Sequence, residues 1–126
     1  MDQLFQYPYH LTEDEYFMSI AIMNSHRSVR SDPTGCVIVS NDRVIAEGYT
    51  EDVHGEASAL KDCGIRDVSL KDAVLYTTHY PCLACFQDIV RSGIRQIYYY
   101  HDRENDPIIH KTAQKESVEI VQLMHY

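Results

Sequence analysis

The stretch AVLYTTHYPCLACFQDIVRSGIRQIYYY, residues 73–100, contains two predicted strands with a predicted helix between them. Residues 73–77, Ala-Val-Leu-Tyr-Thr, are mainly apolar, which is typical of a strand buried on both faces. A helix is expected next, because Pro81 favours a helix start and Gly93 favours a helix stop. Residues 96–100, Gln-Ile-Tyr-Tyr-Tyr, are rich in aromatic and β-branched types and predict a further strand. A helix placed between two such strands favours an α/β fold.

The segments on either side of this stretch extend the same alternation. Thr12 and Glu15 form a capping box, and apolar residues at helical spacing predict a helix from about Glu13 to Ser25. The other predicted elements are a strand hairpin at 36–39 and 44–46, a helix at 55–61 closed by Gly64, a helix from Pro81 to about Ser92, a helix at 107–116 and a strand at 118–123. The order α-β-β-α-β-α-β-α-β predicts a five-stranded mixed sheet with helices on both faces, a three-layer α/β/α sandwich.

The bulk properties of the chain indicate that residues 1–126 form a single domain. The length of 126 residues suits one core, and the 44% hydrophobic content is sufficient to fill it. No linker or repeat divides the chain. No apolar run approaches the roughly 18 residues that cross a bilayer, and the N-terminus lacks the pattern of a secretory signal. We therefore expect a cytoplasmic protein without membrane contacts.

The net charge of −8, from 19 acidic and 11 basic residues, restricts the partners. Proteins that bind DNA or folded RNA usually carry a basic face, because neutralising phosphates supplies much of their binding energy. The acidic balance therefore argues against a polynucleotide. A small anion such as a mononucleotide is still compatible, since a few local cations can hold it.

Two short motifs carry the chemistry, His54-Gly55-Glu56 and Pro81-Cys82-Leu83-Ala84-Cys85. Cys82 and Cys85 are three residues apart at a helix start, so both sulfurs lie on one side, where the helix dipole favours thiolates. His54 at a second helix start supplies a third ligand if the two helix starts are neighbours.

Three protein ligands and no evident fourth are typical of a catalytic zinc site with a place for water, whose pKa the metal lowers to about 7. Glu56, two residues after His54, is placed to move the proton of that water. Taken singly, the cysteine pair also fits half a structural zinc site, a redox pair or two core residues, and His-x-Glu fits a surface polar pair. The combination favours catalysis.

At these motifs the sequence resembles the cytidine and deoxycytidylate deaminase superfamily, whose signature is His-x-Glu, a spacer and Pro-Cys-x-x-Cys. The spacer here is the 24 residues from Ala57 to Tyr80. The resemblance implies the cytidine deaminase-like fold, one catalytic zinc ion per subunit on His54, Cys82 and Cys85, and Glu56 as the general acid and base.

Within the superfamily the sequence is most similar to deoxycytidylate deaminases and their competence-operon relatives, through the stretches 16–18, 27–36 and 77–82. This resemblance implies that the loop after the first helix holds a 5′-phosphate through Arg27, Ser28 and Arg30. An ordinary solvated loop is the alternative for those residues. Members of the family usually form homo-oligomers, which we expect here.

The chain departs from the family pattern at three places. Gly55 stands where the family usually has alanine between the histidine and the glutamate, a small change that we expect to be tolerated. Thr50 stands where relatives often have an asparagine that contacts the nucleoside, so this contact is shortened or lost. Only residues 51–53 separate Thr50 from His54, so the insert that carries effector contacts in many deoxycytidylate deaminases is absent. Regulation by nucleoside triphosphates is therefore not expected.

The sequence does not decide between structural and functional roles for several aromatic residues and for two cysteines. Tyr80 and Pro81 are candidate substrate contacts beside the cysteine motif, Tyr80 by stacking on a pyrimidine, although packing is the commoner role of a tyrosine. Residues 98–100, three tyrosines, fit strand packing and a subunit interface. Cys36 and Cys63 lie in apolar stretches and fit a core role.

The favoured function is hydrolytic deamination of a free pyrimidine nucleotide, dCMP to dUMP and ammonia. The closest alternative is a deaminase of cytidine, guanine or a nucleoside antibiotic. A tRNA adenosine deaminase is less favoured because of the acidic charge. A non-catalytic zinc module that binds another protein has no use for Glu56.

Overall fold

The computed structural model describes residues 12–30, 33–50, 54–66, 70, 72–102 and 107–123. Its elements are, in chain order, α1 (Glu13–Ser25), β1 (Gly35–Ser40), β2 (Arg43–Tyr49), α2 (Gly55–Arg66), β3 (Val74–His79), α3 (Leu83–Ser92), β4 (Gln96–His101), α4 (Pro107–Glu116) and β5 (Glu119–Gln122). This order is the predicted one. Among the described residues, no helix is both long enough and apolar enough to span a membrane.

The five strands form one mixed sheet in the order β2-β1-β3-β4-β5. Strand β1 is antiparallel to both β2 and β3, whereas β3, β4 and β5 are mutually parallel. The register pairs Gly35 with Tyr49 and His79 with His101. The start of β1 and the ends of β2, β3 and β4 therefore lie at one edge of the sheet, which we call the site edge.

Helices cover both faces of the sheet, as the three-layer prediction requires. On one face α1 packs Phe17, Met18 and Ala21 against Val37, Val39 and Tyr76. The other face carries the larger cluster, to which α2, α3 and α4 contribute Ala59, Phe86, Ile89, Ile109 and Ala113. Alternate residues of β1 point to opposite faces, so a single strand serves both cores.

The N-terminal end of α1 is held by polar contacts. The Thr12 hydroxyl accepts a hydrogen bond from the Glu15 amide at 3.1 Å, and the Thr12 amide donates to the Glu15 carboxylate at 2.9 Å, which completes the predicted capping box. The Tyr76 hydroxyl donates to Asp14 at 2.6 Å. Burial, together with this carboxylate, raises the pKa of Tyr76 far above its usual value, so the hydroxyl stays protonated.

Two predicted helix boundaries are wrong. Helix α2 continues through Gly64 to Arg66 instead of closing at Gly64. A glycine inside a helix costs only about 1 kcal/mol relative to alanine, and the packing of α2 outweighs that cost. Helix α3 begins at Leu83 and not at Pro81, because Cys82 is its N-cap. The predicted stop at Gly93 is confirmed, since this residue has φ of 100° in the left-handed region.

Candidate metal centre and its surroundings

The two sequence motifs meet at the site edge because each follows a strand that ends there. His54 lies between the end of β2 and the start of α2, and its carbonyl accepts a hydrogen bond from the Ser58 amide at 3.0 Å. This bond makes His54 part of the first turn of α2. Cys82 follows β3, and its carbonyl accepts from the Phe86 amide at 2.9 Å, which closes the first turn of α3.

The two cysteines differ in exposure. Cys82 is half-buried at the N-cap position, with φ of −72° and ψ of 166°, while Cys85 lies in the first helical turn and is 5% exposed. Because Cys82 and Cys85 are three residues apart at the start of α3, their sulfurs lie on the same side of that helix. The exposed side chain of His54 approaches from α2.

The three side chains converge to the spacing of a metal site. His54 Nδ1 lies 3.6 Å from Cys82 Sγ and 3.5 Å from Cys85 Sγ, and the three ligand atoms all lie within 4.8 Å of one another. A tetrahedral zinc ion with Zn–N of about 2.0 Å and Zn–S of about 2.3 Å separates its nitrogen and sulfur ligands by about 3.5 Å. The residues therefore fit zinc, and the ligand set is one nitrogen and two sulfurs.

Glu56 falls in the first turn of α2, two residues beyond His54. Its side chain lies outside the described part of the structure, as does the side chain of Cys63. Its backbone position, in the turn that His54 begins, is what the sequence predicts. Cys36, the other cysteine outside the motif, is completely buried in the core that α2 and α3 cover.

The loop after α1 leads to the site edge, where β1 begins. The Arg27 guanidinium lies 4.6 Å from the ring centre of Tyr49, the last residue of β2, and donates to Asn24 Oδ1 at 3.3 Å. Arg30 is exposed, and its amide donates to the hydroxyl of Ser28 at 3.0 Å. The residues predicted to hold a phosphate, Arg27, Ser28 and Arg30, thus lie on the loop that leads to the site edge. Arg27 also contacts the ring of Tyr49 on β2, the strand that precedes His54.

Thr50 is turned towards the start of β1. Its hydroxyl accepts a hydrogen bond from the Thr34 amide at 2.7 Å and lies 2.9 Å from the Thr34 hydroxyl. The Thr34 hydroxyl in turn accepts from the Gly55 amide at 2.8 Å. Sequence reasoning missed Thr34, because a threonine in a short polar loop carries no signal of contact with a helix 21 residues further on.

Tyr80 and Pro81 are both buried. The Tyr80 ring is 1% exposed and packs edge-on against Tyr99, with ring centres 4.9 Å apart. Burial, and then the charges of Tyr99 and Asp102, raise the pKa of Tyr80. Its hydroxyl finds no hydrogen-bond partner in the part of the chain that the structure describes. The structure therefore places this ring in the core, and its stacking on a substrate stays a prediction.

Comparison with known proteins identifies a family. The family model for the cytidine and deoxycytidylate deaminase zinc-binding region matches residues 11–101, which include all three ligand positions. ComE operon protein 2 of Bacillus subtilis is 26% identical over 133 aligned positions that cover 87% of this chain and 70% of that protein. Deoxycytidylate deaminase of Saccharomyces cerevisiae is 29% identical over 86% of this chain, which spans only 44% of the yeast protein. The relatives also include tRNA-specific adenosine deaminases.

Solved structures share the fold. The dCMP deaminase of cyanophage S-TIM5, crystallised in complex with dCMP and dUMP, superposes with a TM-score of 0.79 at 22% identity. The match covers 90% of this chain and 100% of the phage protein. At this identity the likeness concerns the fold, and it agrees with the five-stranded mixed sheet described above.

Proposed function

The chain belongs to the cytidine and deoxycytidylate deaminase family, and on that premise we propose that it hydrolyses dCMP to dUMP and ammonia. The members of this family are zinc-dependent hydrolases, and zinc is the cofactor that His54, Cys82 and Cys85 fit. The observation that carries the choice of substrate is the position of Arg27 and Arg30, on the loop that enters the edge where the three ligands converge.

His54, Cys82 and Cys85 would hold the metal through one imidazole nitrogen and two thiolates. When bound, zinc lowers the pKa of a coordinated water to about 7 and so supplies the nucleophile for C4 of the cytosine ring. The two cysteines come from the start of α3, and both sulfurs approach His54 Nδ1. Cys85 is buried and Cys82 is half-buried, so the surrounding residues restrict the motion of both side chains. His54 supplies the third ligand from the start of α2.

Glu56 is the proton carrier of the proposal. Its carboxylate accepts a proton from the attacking water, delivers one to N3 of the ring and assists departure of the amine as ammonia. One water is consumed and one ammonia released, so the reaction is balanced without an oxidant or reductant. The support for this role is the position of Glu56 in the same helical turn that His54 begins.

Charge supports a small substrate over a polynucleotide. The chain carries a net charge of −8, which opposes an extended polyanion such as tRNA, although tRNA-specific adenosine deaminases are among its relatives. A nucleotide monophosphate needs only local cations, and a guanidinium contacts phosphate oxygens through two parallel hydrogen bonds. Arg27 and Arg30 are the cations that we assign to this contact.

The deciding experiment measures ammonia release by the zinc-loaded protein with dCMP, deoxycytidine, cytidine and guanine in parallel. We expect turnover of dCMP well above that of deoxycytidine, because only dCMP carries the phosphate. Faster turnover of an unphosphorylated compound would retain the zinc chemistry and reject the proposed substrate. A tRNA anticodon stem-loop assayed for adenosine deamination tests the polynucleotide alternative.

We further propose that the protein works as a homo-oligomer. The α1 face of the sheet carries half-buried tyrosines at Tyr98 and Tyr100 on β4, beyond the strands that α1 mainly covers. Aromatic residues of this kind are frequent at subunit interfaces. Light scattering coupled to size-exclusion chromatography gives the mass in solution, and a monomeric mass would reject this part of the proposal.

A further inference from the structure

The junction between β1, β2 and α2 contains a closed network of hydroxyl and amide groups. Thr34 precedes β1, Thr50 follows β2, and Gly55 begins α2. The Thr50 amide donates to the Thr34 carbonyl at 3.0 Å, and the Thr34 amide donates to the Thr50 hydroxyl at 2.7 Å. The Thr34 side chain is 2% exposed, so water does not substitute for these contacts.

The two threonine hydroxyls contact each other and the neighbouring backbone. The Thr50 hydroxyl donates to the Thr34 carbonyl at 3.3 Å. It also lies 2.9 Å from the Thr34 hydroxyl, and either of the two hydroxyls can donate in this contact. The Thr34 hydroxyl accepts from the Gly55 amide at 2.8 Å. Thr50 therefore contacts the hydroxyl that holds Gly55.

The Gly55 amide belongs to the peptide group that joins it to His54. A peptide group is planar, so a hydrogen bond to its nitrogen also fixes the plane that contains the Cα of His54. The close approach of the chains depends on glycine at this position. A Cβ added to Gly55 would lie 2.8 Å from the Thr34 carbonyl oxygen and 3.2 Å from the Cα of Gly35.

We propose that Thr34 and Thr50 are positioning residues of the metal centre, which act through the His54–Gly55 peptide to hold the imidazole against Cys82 and Cys85. Thr34 makes the contact with Gly55, and Thr50 supports the Thr34 hydroxyl through the 2.9 Å contact between the two hydroxyls. The inference concerns the ligand set alone and does not depend on which substrate the enzyme takes. It also gives Thr50 a role that uses its hydroxyl within the protein.

The test measures zinc affinity by competition with a chromophoric chelator for wild type, Thr34→Val, Thr34→Ser and Thr50→Val. Valine keeps the shape of threonine and removes the hydroxyl. Groups that orient a metal ligand typically contribute about 10- to 100-fold to metal affinity. We expect Thr34→Val to weaken zinc binding by about 10-fold or more, Thr50→Val to weaken it less, and Thr34→Ser to restore most of it.

Two further measurements separate positioning from general stability. The visible spectrum of the cobalt-loaded protein reports the ligand geometry, and it should change in Thr34→Val and return in Thr34→Ser. Ile38 is a fully buried residue of β1, the strand that follows Thr34, and its side chain is apolar. Ile38→Val removes one methylene and should lower thermal stability with unchanged zinc affinity. If Thr34→Val fails to fold, Thr50→Val carries the test.

Unchanged zinc affinity and an unchanged cobalt spectrum in the valine variants would overturn the proposal. An equal loss of affinity in Ile38→Val would overturn it as well, because the effect would then follow stability and not the hydroxyl contact. These outcomes are independent of the dCMP assay, which can fail while the metal measurements succeed.

Discussion

The metal centre and the loop after α1 meet at one edge of the sheet, yet they are built differently. The ligands stand at the starts of two helices, where backbone bonds such as that of Phe86 to Cys82 close the first turn. The loop instead carries exposed arginines, and the contacts of Arg27 are with the Tyr49 ring and with Asn24. The difference indicates that the ligand positions are fixed by secondary structure, whereas the proposed choice of substrate would rest on side chains that a few substitutions can alter.

The largest expected effect is at the metal centre. We expect Glu56→Ala to lower turnover by about 10²- to 10⁴-fold, since no other group at this site is assigned to carry the proton. Zinc content should stay near one ion per chain, because Glu56 is not a ligand. Ammonia release and metal analysis on the same preparation measure both quantities.

Glu56→Gln is the matched variant, since it keeps the size of the side chain and removes only its ability to accept a proton. It should lose as much activity as the alanine variant. Full turnover in either variant would contradict the assigned role of Glu56, and loss of zinc in both would mean that this residue supports the metal instead.

The second effect is at the loop. Replacing Arg27 and Arg30 together by alanine should raise KM for dCMP by about 100-fold, since hydrogen bonds to charged groups contribute about 1.5–3 kcal/mol each and partial solvation reduces their sum. KM for deoxycytidine should not change. Steady-state kinetics on both substrates give the comparison.

Arg43→Ala is the control for the loss of positive charge, because Arg43 is exposed at the start of β2, at the opposite edge of the sheet. It should leave KM for dCMP unchanged. Equal effects of the double variant on dCMP and deoxycytidine would mean that the arginines shape the loop and do not bind phosphate.

The sequence predicts the metal centre well because its residues depend on local rules. Helix starts, the three-residue spacing of Cys82 and Cys85, and the alternation of strands and helices are all visible over short distances. The placing of His54 beside the cysteines then follows from packing the helices on the sheet. The predicted bounds of α1 and α4 agree with the structure for the same reason.

The network around Thr34 could not be predicted, because it depends on contacts between residues far apart in the chain. Its partners lie 16 and 21 positions away, and no spacing rule connects a loop threonine with a helix start. The burial of Tyr80 is likewise a tertiary property. Its position next to the cysteine motif suggests access to a substrate, whereas its ring packs against Tyr99 in the core.

A third prediction concerns Gly55, because the family resemblance suggests that glycine and alanine are interchangeable at this position. The added Cβ would lie 2.8 Å from the Thr34 carbonyl oxygen, closer than such atoms approach, so α2 must shift. Overpacking of this kind costs about 1–3 kcal/mol. We expect Gly55→Ala to lower thermal stability and also to weaken zinc binding.

Gly93→Ala is the control, since Gly93 has φ of 100° and open space around the added Cβ. Alanine there is strained by its backbone conformation and should lower stability by about 1 kcal/mol without affecting zinc. If the two alanine variants lose stability and keep the same zinc affinity, the close packing at Gly55 has no part in placing His54.

The smallest effect is expected at the N-terminal end of α1. The opposite end of this helix leads into the loop that carries Arg27 and Arg30. Tyr76→Phe removes the hydrogen bond to Asp14 and should lower the free energy of unfolding by about 1 kcal/mol at pH 7. Urea denaturation measures the loss, and Asp14→Asn combined with Tyr76→Phe in a double-mutant cycle isolates the contact. KM for dCMP should not change, because the loop is held by Arg27 on Tyr49 at the opposite end of the helix.

The same pair predicts a pH dependence. Burial, then the Asp14 carboxylate, raise the pKa of Tyr76 above its usual value of 10.0, so the folded protein keeps this proton after the unfolded chain has lost it. The unfolded state then binds fewer protons, and stability falls as the pH rises above about 10. Tyr76→Phe should show a smaller fall than wild type, although Tyr80, Tyr98 and Tyr99 contribute in the same direction. An equal fall in both proteins would mean that Tyr76 ionises in the folded state as readily as in the unfolded chain. A raised KM for dCMP in Tyr76→Phe would mean that the loop after α1 depends on the whole length of that helix and not on the contacts of the loop itself.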